Sequence, residues 1–300
     1  GPGAFTFAAG LTNGTAYTVT ATAPQHCAVA NGTGTMGATN VTNITVTCTT
    51  VVRSAALSAN QENPPTTSTA TGRGAVVVNP MTLEITGGMT FTGVTPTTGG
   101  HHIHQAPSGQ PTQNGGVIIA LTLAPGGGVA TVPAGTVLSA AQYAAFLAGE
   151  LYFNIHSATN PGGDIRGQIN AATGVTAGIA TLNGTQENAT NISTATGRGT
   201  IVFDSTTREV LIGYVTHNVS AATVAHIHTG AVGVSGPANV VTLSQGTGVY
   251  TAPQGAILSA QSVTDLTAGN TYFNVHSTNN SCPPAATCGA GEIRGQIALQ

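Results

Sequence analysis

Apolar residues along this chain come in short runs that alternate with Thr, Ser and Gly and stop at turn formers. "AVVV" (75–78), "LEITGGMTFTGV" (83–94), "VIIALTL" (117–123), "LYFNIH" (151–156) and "DIRGQI" (164–169) are typical, separated by Gly, Pro, Asn and Thr. A period of two puts alternate side chains on opposite faces, which predicts strands rather than helices. The best helical turns are "SAAQYAAFLAG" (139–149), with Ser139 as its cap, and "SAQSVTDLTAG" (259–269). Many short strands with so little helix predict an all-β protein built of sandwiches or barrels.

The pattern is duplicated. "LSANQENPPTTSTATGRGAVVV" (57–78) returns as "LNGTQENATNISTATGRGTIVF" (182–203), an offset of 125 residues (182 − 57). "HHIH" (101–104) returns as "AHIH" (225–228), and "LYFNIHSATNPGGDIRGQI" (151–169) as "TYFNVHSTNN" (271–280) followed by "GEIRGQI" (291–297). Two homologous domains are therefore expected at 52–172 and 178–300, joined by the linker "NAATGVTAG" (170–178). Residues 1–50 form a smaller β module of about four strands, too short to bury much surface without help. It opens abruptly in a strand and without the basic start and apolar core of a signal peptide. The expectation is a processed or incomplete chain that lacks leading strands, or one that a neighbour's strand completes.

Composition changes the picture mainly through charge. Only 5 % of residues are charged, with six Arg, no Lys, and a net charge of -3. That leaves no basic footprint for nucleic acid. No apolar run reaches the ~18 residues that span a membrane. The four Cys fit two local disulfides in an oxidising compartment, Cys27 with Cys48 and Cys282 with Cys288, against the alternative of four free thiols. Nine Asn-x-Ser/Thr triplets, such as those at Asn13, Asn31, Asn188 and Asn279, offer glycan sites if the cell uses them.

Taken in order, "QENPPTTSTATGRG", "HIH", "NIHS" and "GDIRGQI" give a specific likeness. Each large repeat resembles a CHRD domain, the module first described in chordin and common in secreted microbial proteins. The resemblance implies extracellular β-rich domains and a secreted or cell-surface location. Residues 1–50 more weakly resemble the small Ig-like repeats of bacterial secreted proteins.

Chemistry concentrates in the histidines. In "HIH", Ile103 takes one face of a strand while His102 and His104 share the other. In "LYFNIH", His156 shares a face with Tyr152 and Asn154. The second repeat offers His226, His228 and His276 in the same way. Three imidazoles per domain make a candidate metal site, with about one ion per domain, copper first and zinc second. His-x-His followed by a later His is similar to the copper half of Cu,Zn superoxide dismutases. The bridging His and the His/Asp zinc set have no counterpart here, which argues against dismutase activity. A metal-free network of His, Tyr, Asn and backbone groups is the alternative. His101 matches Ala225 in the other repeat, so it is not needed for a duplicated site.

The rare charges also recur: Glu62 with Glu187, Arg73 with Arg198, Glu84 with Glu209, Asp164 with Glu292, and Arg166 with Arg294. Pairs such as Glu62–Arg73 and Asp164–Arg166, and Glu187, Arg198, Glu292 and Arg294 in the second repeat, are expected to be structural ion pairs. No nucleophile elbow or phosphate loop accompanies them. The expected function is a non-enzymatic extracellular structural or binding protein with one three-His site per large domain. Low charge and open strand edges further suggest self-association into a surface fibre. A copper redox enzyme and a metal-free adhesion scaffold are the alternatives.

Overall fold

The structure is a computed structural model, and it describes residues 7, 10–21, 26–188, 191–246, 248–278 and 291–300 of the 300-residue chain. The N-terminal module holds four short strands, Ala16–Thr18 (β1), Cys27–Ala30 (β2), Thr33–Thr35 (β3) and Thr45–Cys48 (β4). They pair as two separate two-stranded sheets, β1 with β3 and β2 with β4. Cys27 lies directly opposite Cys48, and the two are joined as a disulfide. Cys282 and Cys288 fall outside the described residues. No apolar side chain before Val51 is buried among the described residues, so the disulfide takes the place of a core.

The first large domain runs through Val51–Ser58 (β5), Thr71–Val78 (β6), Ile85–Thr92 (β7), Pro96–Gln105 (β8), Gly116–Ala120 (β9), Thr122–Leu123 (β10), Val129–Thr131 (β11), Leu151–Ser157 (β12), Ile165–Gln168 (β13) and Asn170–Ala171 (β14). Its antiparallel order is β10-β11-β7-β6-β5-β13-β12-β8-β9, with β14 also on β5. The two ends of that order, β9 and β10, follow each other in the chain, so the sheet curls into a barrel. Alternation fills the inside: Val76, Ile85, Met89, Ile103, Phe153 and Ile155 are fully buried in one cluster. Each such side chain contributes about 1.5–3 kcal/mol by leaving water. The helix Ala140–Ala148 (α1) adds Tyr143 and Phe146 to this core, and Ser139 caps it through a reciprocal bond with Gln142.

The second domain repeats the plan with Val175–Asn183 (β15), Thr196–Asp204 (β16), Val210–His217 (β17), Ala222–Thr229 (β18), Val241–Gly246 (β19), Val249–Thr251 (β20), Ala260–Thr267 (α2), Thr271–Ser277 (β21), Ile293–Gln296 (β22) and Ala298–Leu299 (β23). Here β15 pairs with both β16 and β22, which closes the barrel by hydrogen bonds. Closure removes edges. The open edges expected to drive self-association are therefore confined largely to the N-terminal sheets. The linker expected at 170–178 is mostly strand: Asn170–Ala171 joins the first barrel and β15 begins at Val175.

The barrels pack against each other. Ala75, Val77, Ala124 and Val129 of the first meet Ala177, Val202, Leu211, Ile212, Tyr214 and Val249 of the second in a separate buried cluster. The Gly87 amide donates to the buried Tyr214 hydroxyl across this seam. Among the described residues the ion pairs are Arg73–Glu209 and Arg198–Glu84, and both join the two barrels. This corrects the expected pairing within each domain. Arg73 and Arg198 sit on the outer face of β6 and β16, and the nearest carboxylates there belong to the other barrel.

Candidate metal centre

His102 and His104 project from β8 and His156 from β12, on the face turned away from Ile103. In the antiparallel register, Asn154 lies opposite His102 and Tyr152 opposite His104. The ladder then shifts between Ile155 and Ser157, so a bulge sets the position of His156. The second repeat has the same register, with Asn274 opposite His226 and Tyr272 opposite His228, and a shift beside His276. Strand alternation predicts which face these side chains take, but not that the face is buried. Tyr152 and Asn154 are only 2 % and 3 % exposed, because the segments around 59–70 and 106–115 fold over this side of the barrel.

The three rings of each set converge, with one ligand atom from each lying within 4.8 Å of the others. Ring centroids stand 5.4–5.6 Å apart in the first set and 5.2–5.6 Å in the second. Backbone carbonyls fix the tautomers. His104 Nδ1 bonds Gly115 O at 2.9 Å, His156 Nδ1 bonds Pro161 O at 3.0 Å, and His228 Nδ1 bonds Gly236 O at 2.9 Å. In each case Nδ1 must donate, which leaves Nε2 with a bare lone pair. His102 Nδ1, His104 Nε2 and His156 Nε2 are then buried nitrogens with no hydrogen-bond partner in the protein. Each ring of the converging set thus carries one buried nitrogen with no partner in the protein.

In the second set, His276 Nε2 lies 3.3 Å from His226 Nδ1 and 3.4 Å from His228 Nε2. A ring nitrogen is either a donor or an acceptor, so His276 Nε2 makes at most one good hydrogen bond to its two neighbours. Three ligand atoms about 2.0–2.1 Å from one tetrahedral ion stand ~3.3–3.4 Å apart. The residues fit a cation better than they fit each other. Electrostatics agree. Burial pushes the His104 imidazole down to about 4, and burial lowers His102, His226 and His228 as well, with His156 and His101 adding to the effect on His102. Neutral rings keep their lone pairs available to a metal at neutral pH.

A stacked sandwich supports each set. The His104 ring stacks on Tyr152 at 5.0 Å, and the Arg166 guanidinium covers the other face of that tyrosine at 3.5 Å. His228, Tyr272 and Arg294 repeat it at 5.0 and 3.4 Å. Arg166 is almost fully buried and donates to Pro111 O, Gln113 O, Asn114 Oδ1 and Gln168 Oε1, not to Asp164. Arg294 likewise donates to Ala231 O, Val234 O and Gln296 Oε1. Asp164 instead accepts from Ser157 and Asn160, and Glu292 from Ser193 and Ser277. The expected Asp164–Arg166 pair and its Glu292–Arg294 counterpart are thus replaced by neutral partners, because each arginine pins the loop that covers the site. Glu62 accepts from Asn154 and Glu187 from Asn274, rather than from an arginine.

Gly115 and Gly236 escaped the reading of the sequence. A Cβ would stand 1.7 Å from Gln105 O at Gly115 and 1.8 Å from Thr229 O at Gly236, so only glycine lets these loops close. They follow the second His of each pair by different distances, 11 and 8 residues (115 − 104 and 236 − 228), which hides them from repeat alignment. His101 is buried on the other side of its strand from the set, and His217 stacks on Tyr250 at 5.3 Å.

No curated protein and no solved structure matches the chain. The CHRD domain model matches residues 53–169 and 179–297, one match for each barrel. The likeness of residues 1–50 to Ig-like repeats is not confirmed by that match. Two CHRD matches together cover well over half of the chain, on barrels that repeat the same register and the same three-His cluster, and the protein therefore belongs to the CHRD domain family.

Proposed function

We propose that the chain is an extracellular, non-catalytic binding protein whose two histidine sets each hold one transition-metal ion. The convergence of three buried, unpartnered ring nitrogens in the first set, matched by the 3.3 and 3.4 Å spacings of the second, carries this reading. An all-imidazole set suits copper and zinc, and the general affinity order of divalent ions favours copper. CHRD domains occur in extracellular proteins and are generally binding rather than catalytic modules. Among the described residues, no helix is long and apolar enough to cross a membrane. Elemental mass spectrometry on tag-free protein prepared without chelator tests the reading. Close to two copper or zinc atoms per chain, lost when His104 and His228 are both replaced by Ala, are expected. No metal above background after adding copper overturns it, and superoxide loss that depends on bound metal overturns the non-catalytic part.

A second reading concerns assembly into a fibre. It is supported by the two N-terminal sheets, which among the described residues have two strands each and bury no apolar side chain. Gel filtration and electron microscopy test it. A monomer at all concentrations counts against it.

A further inference from the structure

The motif "QEN" occurs in both repeats, as 61–63 and 186–188, and the metal reading leaves it unused. Its glutamates occupy equivalent places. Asn154 Nδ2 donates to both carboxylate oxygens of Glu62, at 3.1 and 3.3 Å, and Asn274 Nδ2 donates to Glu187 at 3.1 Å. Glu62 and Asn154 are 6 % and 3 % exposed. Neither glutamate has a cationic side chain within 4.0 Å among the described residues, where the two ion pairs lie elsewhere. A buried carboxylate without a cation in contact is costly, yet the fold builds one at Glu62 and a half-buried counterpart at Glu187.

The backbone is shaped around it. Gly163 and Gly291 have φ of +141° and +125°, and a Cβ there would stand 2.5 Å from Glu62 Oε2 and 2.6 Å from Glu187 Oε1. The partner asparagine joins the carboxylate to the histidines. Asn154 lies in register opposite His102 and shares the outer face of β12 with His156, and Asn274 holds the same place beside His226 and His276. Each carboxylate is thus one side chain away from two of the three rings. The charged and titratable groups around Glu62 are Arg166 from β13, Asp164 from the preceding loop, and the histidines from β8 and β12. Arg294 takes the place of Arg166 near Glu187.

We propose that Glu62 and Glu187 are charge-compensating positioning residues of the two centres, each releasing a proton to solvent when a divalent cation occupies the adjacent three-histidine set. This rests on the metal reading above. Three neutral imidazoles leave both charges of a divalent ion uncompensated, and the glutamate is the carboxylate bonded to the asparagine that sits among the rings. One O–H bond breaks, the proton leaves to buffer, and the carboxylate remains. Burial pushes both groups up to about 7, with the Asn154 hydrogen bond and Arg166 opposing this at Glu62 and with Arg294 and Asn274 opposing it at Glu187. A sizeable share of each therefore carries a proton at neutral pH. The alternative role is structural: the Glu–Asn bond ties the turn after β5 to β12.

Isothermal titration of zinc into the full-length protein at pH 6.5, in buffers of different ionisation enthalpy, counts the protons released. The wild type is expected to release about half a proton more per ion than the Glu62→Gln/Glu187→Gln variant. Equal counts overturn the proposal. Zinc that binds neither protein overturns the metal reading and this proposal together, which separates the two failures. Infrared difference spectra of the wild type keep the test open if the variant folds poorly. A protonated-carboxyl band must disappear on zinc addition, and an unchanged band overturns the proposal.

Discussion

Arg73 of the first barrel lies 3.1 Å from Glu209 of the second, and Arg198, the repeat counterpart of Arg73, reaches back to Glu84, the counterpart of Glu209. Contacts that exchange under the repeat offset are the mark of a twofold interface. The two barrels meet as the halves of a symmetric dimer would, although one chain holds both. The seam uses the β6–β7 and β16–β17 side of each barrel, whereas the histidines lie on the β8–β12 and β18–β21 side. The two candidate centres therefore stand on strands that give no residue to the buried cluster of the seam.

At that seam the apolar and hydrogen-bonded contacts outweigh the ion pairs. Arg73 and Arg198 are about half exposed, so replacing either with Ala costs at most about 1 kcal/mol, and equally for both. Replacing Tyr214 with Phe strands the buried Gly87 amide and costs about 1–3 kcal/mol. Thermal melts of the three single variants give the ranking, and an arginine variant that melts below Tyr214→Phe contradicts it.

Tyr152 positions His104 twice, by stacking and by receiving the Gly115 amide at 2.9 Å, which places the carbonyl that holds Nδ1. Tyr152→Phe keeps the stack and removes the anchor. Zinc affinity at one of the two sites is expected to fall about 10–100-fold. Tyr272→Phe affects the other site alike. Competition with a chelator of known affinity measures both.

The pH dependence of the metal-free protein has a predictable sign. Glu62 and Glu187 sit near 7 in the fold, against 4.5 when unfolded. Their favourable contribution is complete below about 4.5 and is lost as pH rises through about 7. His104 behaves in the opposite sense: its imidazole is held down to about 4, so its contribution is lost as pH falls from 6.5 through 4. Differential scanning calorimetry with chelator present is expected to show Glu62→Gln/Glu187→Gln gaining a few degrees over the wild type at pH 8, and less at pH 5. An equal difference at both pH values rules this out.

Replacing Cys27 and Cys48 with Ala removes the constraint from a module that buries no apolar side chain among the described residues. The loss is about 2–4 kcal/mol, enough to melt β2 and β4. The barrels have cores of their own that include no residue before Val51. Hydrogen exchange is expected to rise within 26–49 and to stay unchanged in both barrels.

Strand alternation, the duplication and the sharing of a face by His102, His104 and His156 were legible because each depends on local periodicity. The helix at 140–148 was legible for the same reason, since Ser139 and Gln142 act within one turn. The charged residues were not. Arg73 and Glu62 carry opposite signs within one repeat and invite pairing, yet Arg73 turns to Glu209 and Glu62 to Asn154. A buried arginine such as Arg166 takes whichever carbonyls the covering loop presents, and those lie more than 50 residues away in the chain.

The sequence by itself determined the all-β class, the two repeats, and which histidines share a face, because backbone geometry makes alternation a local rule. Only the tertiary structure decided that the sheets close into barrels, that the arginines bridge them, and that Gly115 and Gly236 close over the rings. Those outcomes depend on which surfaces meet after folding. Hydrogen-bond and charge pairing act over a few ångströms in space, with no fixed spacing along the chain to announce them.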